Sequence, residues 1–217
     1  MKKQLIIYDL DGTLVDTAKD IAQAANHMLR ELNAKAVSRR EISRYVGKGL
    51  HHLIKNCLKT EDQKQIEKGA KIYRQFYAEH LMDHSKLYPG ALQFLDYFKS
   101  RKQAVMTNKP NPFSEDILKA LGVSDYFTAI VAGDSQHPKK PDASALFWLM
   151  DQQKIEPAAA LLVGDSPIDI ETARNAGIEA AVLSHGFADE DEIKSARPDY
   201  RAADFEGLLR LAKEKGW

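Results

Sequence analysis

The sequence predicts an α/β protein, with a Rossmann-like parallel-sheet core interrupted by an inserted α-helical cap. Three observations predict it. Leu5-Ile6-Ile7-Tyr8 is an apolar run that stops abruptly at Asp9-Leu10-Asp11-Gly12, the pattern of a strand covered by helices on both faces. From Asp16 to His84 only helical spacings are found. From Tyr88-Pro89-Gly90 onward, short apolar runs alternate with helical stretches, as βαβ units require. The core is therefore expected over 1–15 and 87–217, and the cap over 16–86.

Taken in order, the first strand ends at the two acids, and Gly12 lets the backbone turn. Thr17 or Asp16 can cap a helix through Ile21, Ala24, Ala25, Met28, Leu29 and Leu32. Ser38 opens another, with Glu41 placed for a capping box. Leu50, Leu53, Ile54, Cys57 and Leu58 form a third apolar stripe, and a fourth helix covers roughly 60–82. The core then resumes. Helices are expected over 89–100, 112–121, 142–153 and 168–176, with strands at Gln103–Thr107, Phe127–Val131, Ala159–Val163 and Glu179–Leu183. The tail, with Leu208, Leu209 and Leu211, reads as helix.

Bulk composition narrows the function. The 217 residues balance 31 Lys and Arg against 31 Asp and Glu, so no basic excess marks a nucleic-acid or anionic-membrane binder. No run is long enough to span a bilayer. Cys57 is the only cysteine, which rules out an intrachain disulfide and fits a cytoplasmic protein. A monomer or weak homodimer is expected.

The chemistry gathers at the strand ends. In open α/β sheets, ligands bind beyond the carboxyl ends of the strands. Asp9 and Asp11 follow the first strand, Thr107 and Asn108 the second, Lys140 the third, and Asp165, Ser166 and Asp169 the fourth. Each has a plain alternative: a polar strand end, a turn at Thr107-Asn108-Lys109-Pro110, a solvated Lys139-Lys140 pair, a helix cap. Parallel strands, however, would bring all of them to one crevice. Asp9 and Asp11 side by side need a cation or a shared proton, which points to metal-assisted chemistry with one carboxylate as nucleophile or acid.

At these residues the chain resembles the haloacid dehalogenase-like superfamily. Asp9-Leu10-Asp11-Gly12-Thr13-Leu14-Val15-Asp16, Thr107-Asn108, Lys140-Pro141 and Gly164-Asp165-Ser166-Pro167-Ile168-Asp169 match its four motifs. Tyr88-Pro89-Gly90, Thr107-Asn108-Lys109 and Arg174-Asn175-Ala176-Gly177 resemble its phosphoglycolate phosphatase branch. Ala143 departs from a proline common in relatives, and Tyr8 from a phenylalanine.

The resemblance implies a Mg²⁺-dependent phosphatase acting on a small phosphorylated metabolite. Asp9 would be the nucleophile, passing through an aspartyl-phosphate, and Asp11 the general acid and base. Asp9, the Asp11 backbone carbonyl and Asp165 would hold Mg²⁺, with Asp169 supporting from behind. Thr107, the Asn108 backbone and Lys140 would hold the phosphoryl oxygens. In the cap, Gly47-Lys48-Gly49 reads either as a helix end or as a substrate-facing loop, whose Arg44, Lys48 and His51 would meet a carboxylate. Pyrophosphatase, sugar phosphatase, nucleotidase and phosphomutase share the core. A non-catalytic phosphate sensor would be expected to lack one of the four motif residues.

Overall fold

The computed structural model describes residues 2–217. At its centre is β1 (Leu5–Tyr8), completely buried. Parallel partners flank it on both sides: β4 (Lys102–Met106) and β6 (Ala160–Gly164). Outside β4 lies β5 (Ala129–Val131). Outside β6 lie β7 (Glu179–Leu183) and β8 (Tyr200–Ala202). The order β5-β4-β1-β6-β7-β8 grows outward from β1 in one direction, then jumps back across it. That reversal opens a crevice at the carboxyl ends of β1, β4 and β6.

Alternation along β1 divides the core. Ile6 and Tyr8 face one cluster with Val105, Leu161 and Val163. It is covered by α5 (Ala91–Tyr97), α6 (Phe113–Ala120) and α10 (Phe205–Lys215) through Phe94, Ile117 and Phe205. Leu5 and Ile7 face the other, covered by α7 (Ser144–Gln153) and α8 (Pro167–Ala176) through Leu146, Leu149 and Ala173. Period-two side chains need apolar cover on both sides, which is why the strand reads as an unbroken apolar run.

Between β2 (Val15–Asp16) and β3 (Lys86–Leu87) the chain is helical: α1 (Ala18–Glu31), α2 (Arg39–Ser43), α3 (Leu50–Leu58) and α4 (Gln63–His80). β2 and β3 pair antiparallel, joining the two crossings into one ribbon. That ribbon was not anticipated; two residues per strand leave no periodicity to read. Asp20 on α1 ties the crossings further. It accepts from the backbone N–H groups of His84 and Ser85 at 3.0 and 2.7 Å, and from the Ser85 hydroxyl at 2.7 Å. His84 joins this set, its Nδ1 standing 2.8 Å from Asp20 Oδ1, while His80 at the end of α4 pairs with Asp83 at 2.9 Å.

Two elements near the C-terminus were also unanticipated, α9 (Glu190–Ala196) and β8. Most other element ends move by no more than three residues, as caps and fraying dictate, but α2 stops at Ser43, so Gly47 is not its end. Ser38 does cap α2, accepting from the Glu41 N–H at 3.2 Å. The Glu41 carboxylate instead accepts from the Tyr45 hydroxyl. No helix among the described residues is long and apolar enough to cross a membrane.

Candidate active site

Register places the site. Tyr8 lies opposite both Val105 and Val163, so Asp9 emerges one residue before Thr107 and Asp165 on its neighbours. The Asp9 N–H still donates to the Val163 carbonyl at 2.9 Å, and Oδ1 accepts from the Leu10 N–H at 2.7 Å. Its other oxygen, Oδ2, faces Lys140 Nζ at 2.9 Å. Burial pushes the Asp9 carboxyl up to about 6, against the pull of Lys140.

Lys140 is buried with its ammonium between two carboxylates, Asp9 and, at 2.7 Å, Asp169 Oδ1. Burial opposes its charge, but Asp169 and Asp9 more than offset it and hold its pKa above the ordinary value. Asp169 reaches the site because it is N3 of α8, in a capping box with Ser166. Its Oδ2 accepts from the Ser166 hydroxyl at 2.6 Å and the Asp165 N–H at 3.3 Å. Both Asp169 oxygens are thus engaged by protein donors.

Asp165 is held by the Thr13 hydroxyl on Oδ1 and the Phe187 N–H on Oδ2, each at 2.8 Å. Burial, then Asp169 and Asp9, raise its pKa well above the carboxylate range. Backbone crowds around it closely: a Cβ at Gly12 or at Gly186 would collide with the Asp165 carboxylate, and Gly12 also has φ +82°.

Oxygens of Asp9, Asp165 and Asp169 lie within 4.8 Å of one another, all buried. Three acids and one lysine leave excess negative charge where water cannot screen it. The donors are all oxygen, the set that suits a hard divalent cation such as Mg²⁺. The residues present therefore fit a metal.

Asp11 is engaged differently. Its Oδ1 accepts from the Thr17 hydroxyl at 2.7 Å, and its two oxygens lie 3.0 and 3.2 Å from Lys109 Nζ. Thr17 therefore spends its hydroxyl on Asp11 rather than capping α1. Asn108 bridges inward and outward. Its Nδ2 donates to the Lys140 carbonyl at 3.0 Å and to the Gly47 carbonyl at 2.7 Å. Its Oδ1 accepts from the Lys140 N–H at 2.8 Å.

Two compartments meet at Asp9 and Asp11. One, about 350 Å³, is polar and includes Arg44, Lys48, Asp165 and Ser166. The other is smaller, about 40 Å³, and walled by Leu50, Leu53, Tyr73, Tyr77 and Phe113. Gly47 borders both. Of the cap residues expected at the substrate, Arg44 and Lys48 line the polar compartment, while Arg44 also pairs with Asp189 at 2.7 Å. His51 is exposed on α3 and lines neither; it sits next to Leu50, whose side chain takes the inward face.

A family model described as haloacid dehalogenase-like hydrolase matches residues 6–183. The chain belongs to that family. Among curated relatives, a phosphoglycolate phosphatase of Vibrio parahaemolyticus is 35% identical, over 96% of this chain and 95% of its own. One from Aquifex aeolicus is 34% identical over 96% of each. A crystal structure of a predicted phosphoglycolate phosphatase from Haemophilus somnus superposes with TM-score 0.92 at 28% identity, covering 98% of this chain and 99% of that one.

Four groups at this candidate site escaped sequence reasoning: Lys109, Tyr77, Thr13 and the Phe187 N–H. Tyr77 reads as core from its helical spacing, and its ring is buried there, but its hydroxyl accepts from Lys109 Nζ at 2.9 Å. Lys109 carried a signal, standing next to Thr107-Asn108. The Phe187 N–H carried none, because a backbone donor leaves no trace in residue identity.

Proposed function

We propose that this phosphoric monoester hydrolase is a Mg²⁺-dependent phosphatase of small, carboxylated phosphate esters such as phosphoglycolate, working through an aspartyl-phosphate. The observation that carries the reading is Asp9. It is a buried carboxylate at the end of the central strand, with one oxygen facing the Lys140 ammonium and Asp11 two residues away bordering the same crevice.

The Asp9 carboxylate forms a bond to phosphorus as the bond to the leaving oxygen breaks. Asp11 delivers its proton to that oxygen. It then takes a proton from the water that attacks phosphorus, and the phosphoryl bond to Asp9 breaks. Lys140, the Thr107 hydroxyl and the Asn108 N–H hold the phosphoryl oxygens where negative charge accumulates. Asp9, Asp165 and the Asp11 carbonyl would hold Mg²⁺, which supplies positive charge against the phosphate and the crowded acids. Thr13 and Phe187 aim the Asp165 carboxylate, and Asp169 aims Lys140.

The substrate class rests on the relatives named phosphoglycolate phosphatase and on Arg44 and Lys48 beside Asp9 and Asp11. Residues 16–86 form the substrate-selecting cap in this reading, and the cytoplasm is the compartment. A panel of phosphoglycolate, pyrophosphate, hexose phosphates and nucleotides, with and without Mg²⁺, tests it. The highest kcat/KM is expected for phosphoglycolate, with none in EDTA. Phosphate binding without turnover of any ester would favour a sensor and overturn the proposal.

A further inference from the structure

Lys109 has three close polar contacts, and they exhaust its ammonium. Two are the Asp11 carboxylate oxygens at 3.0 and 3.2 Å; the third is the Tyr77 hydroxyl at 2.9 Å. An ammonium has three N–H donors and no acceptor, so nothing remains for a substrate while these hold. The ammonium also stands 4.6 Å from the centre of the Tyr77 ring. Its side chain is 5% exposed and that of Asp11 8%, and the walls of the adjoining compartment are aliphatic and aromatic. Away from water such contacts are strong and directional.

The three residues come from three separate parts of the chain. Asp11 follows β1, Lys109 follows β4, and Tyr77 lies on α4 of the helical insert. Tyr77 is itself wedged edge-on against Phe113 of α6, with centroids 5.1 Å apart, and stacked on Tyr73 at 5.3 Å. Where α4 sits therefore decides whether Lys109 keeps its third partner. The next contact around the crevice, Asn108 to the Gly47 carbonyl, also joins a residue after β4 to the insert.

We infer that Lys109 is a positioning residue that fixes the Asp11 carboxyl for proton transfer, and that the Tyr77 hydroxyl makes this positioning depend on the insert being seated. This rests on the phosphatase reading above, in which Asp11 protonates the leaving oxygen. The pair carries no reacting atom. Its effect is on where Asp11 stands when the ester bond breaks. Thr17 fixes one Asp11 oxygen from the insert's first linker, so loss of the Lys109 contact would leave the carboxyl free to swing about that single hydrogen bond.

The test uses the dependence on leaving group. An alkyl phosphate needs a proton on its departing oxygen; p-nitrophenyl phosphate, with a stable phenolate, scarcely does. kcat/KM for phosphoglycolate and for p-nitrophenyl phosphate is measured at saturating Mg²⁺ for Tyr77→Phe, Lys109→Met and the double variant. The loss with the alkyl ester is expected to exceed the loss with the aryl ester by about tenfold or more in each. The double variant should be no worse than the worse single one, since both act through one contact. Equal losses on the two esters, or losses that multiply, would overturn the inference. Tyr77→Phe keeps the ring and its packing, so its ratio decides the matter alone if Lys109→Met does not fold. Wild-type protein inactive on both esters would instead overturn the phosphatase reading, whereas active wild type with a flat response removes only the role of Lys109 and Tyr77.

Discussion

Lys140 Nζ stands 2.9 Å from Asp9 Oδ2, and the lysine side chain has no exposure to solvent. The pair spans β1 and the loop after β5, and Asp169 closes it from α8. Removing one member of such a buried set typically costs about 3–5 kcal/mol. Lys140→Met is expected to lower the thermal midpoint and to abolish measurable turnover. Lys140→Arg should not rescue it, because a planar fork cannot replace a compact point charge between two carboxylates. Melting curves and steady-state rates on both variants check this.

Asp9 and Asp11 should separate under the same substitution. Asp9→Asn is expected to show no turnover and no acid-stable trapping of labelled phosphate on protein. Asp11→Asn should keep its Mg²⁺ affinity, since only its carbonyl faces the metal in the proposed division of roles, and lose about 10²–10⁴ in rate. A collapse of Mg²⁺ affinity in Asp11→Asn, measured by calorimetry, would show that the side chain holds the metal.

Gly186 packs against Asp165 so closely that a methyl group would collide with its carboxylate. Gly186→Ala is expected to displace Asp165 from its Thr13 and Phe187 donors and to weaken Mg²⁺ binding about 10–100-fold, the usual cost of disturbing the partners of a metal ligand. Titration of activity against Mg²⁺ reads this directly. Saturating metal should recover most of the rate.

Lys48 lines the polar compartment with Arg44, and Arg44 is already paired with Asp189. Lys48→Glu is therefore expected to raise KM for phosphoglycolate by about tenfold or more. A neutral ester of similar size should change little. Equal effects on both would place Lys48 outside carboxylate recognition.

Burial raises the Asp9 carboxyl from about 4 to about 6, and raises the Asp165 carboxyl well above its ordinary value. For a raised carboxyl the unfolded chain releases its proton first. Stability is therefore lost as pH climbs from about 4 through 6, and Asp165, shifted in the same direction, adds to the loss. In EDTA the thermal midpoint should fall across this window. Added Mg²⁺ should flatten the decline, because it stabilises the ionised acids of the folded state. A metal-free midpoint that rises steadily from pH 5 to 7 would contradict the sign.

Much of the site was legible because its chemistry is carried by side-chain identity at strand ends. Asp9, Asp165 and Lys140 each follow a recognisable apolar run, and β1 announces itself by four buried residues in succession. Asp169 was legible as a partner of Asp165, for an acid at N3 returns to the helix start. Tyr77 was not, because a helical apolar stripe looks the same whether its outermost atom meets solvent, core or an ammonium. β2 and β3 were not either, since a two-residue ribbon is specified by where the linkers meet and not by either linker.

The residues by themselves determined the α/β core, the helical stretch within it and the acids and lysine that line the candidate site, because strand and helix periodicities and charged groups at apolar run ends are local properties of the chain. Only the tertiary structure decided the strand order around β1, the pairing of Lys109 with Asp11 and Tyr77, and the division of the crevice at Gly47. Those depend on distances between segments far apart in sequence, which are set when the two faces of the sheet and the insert pack together.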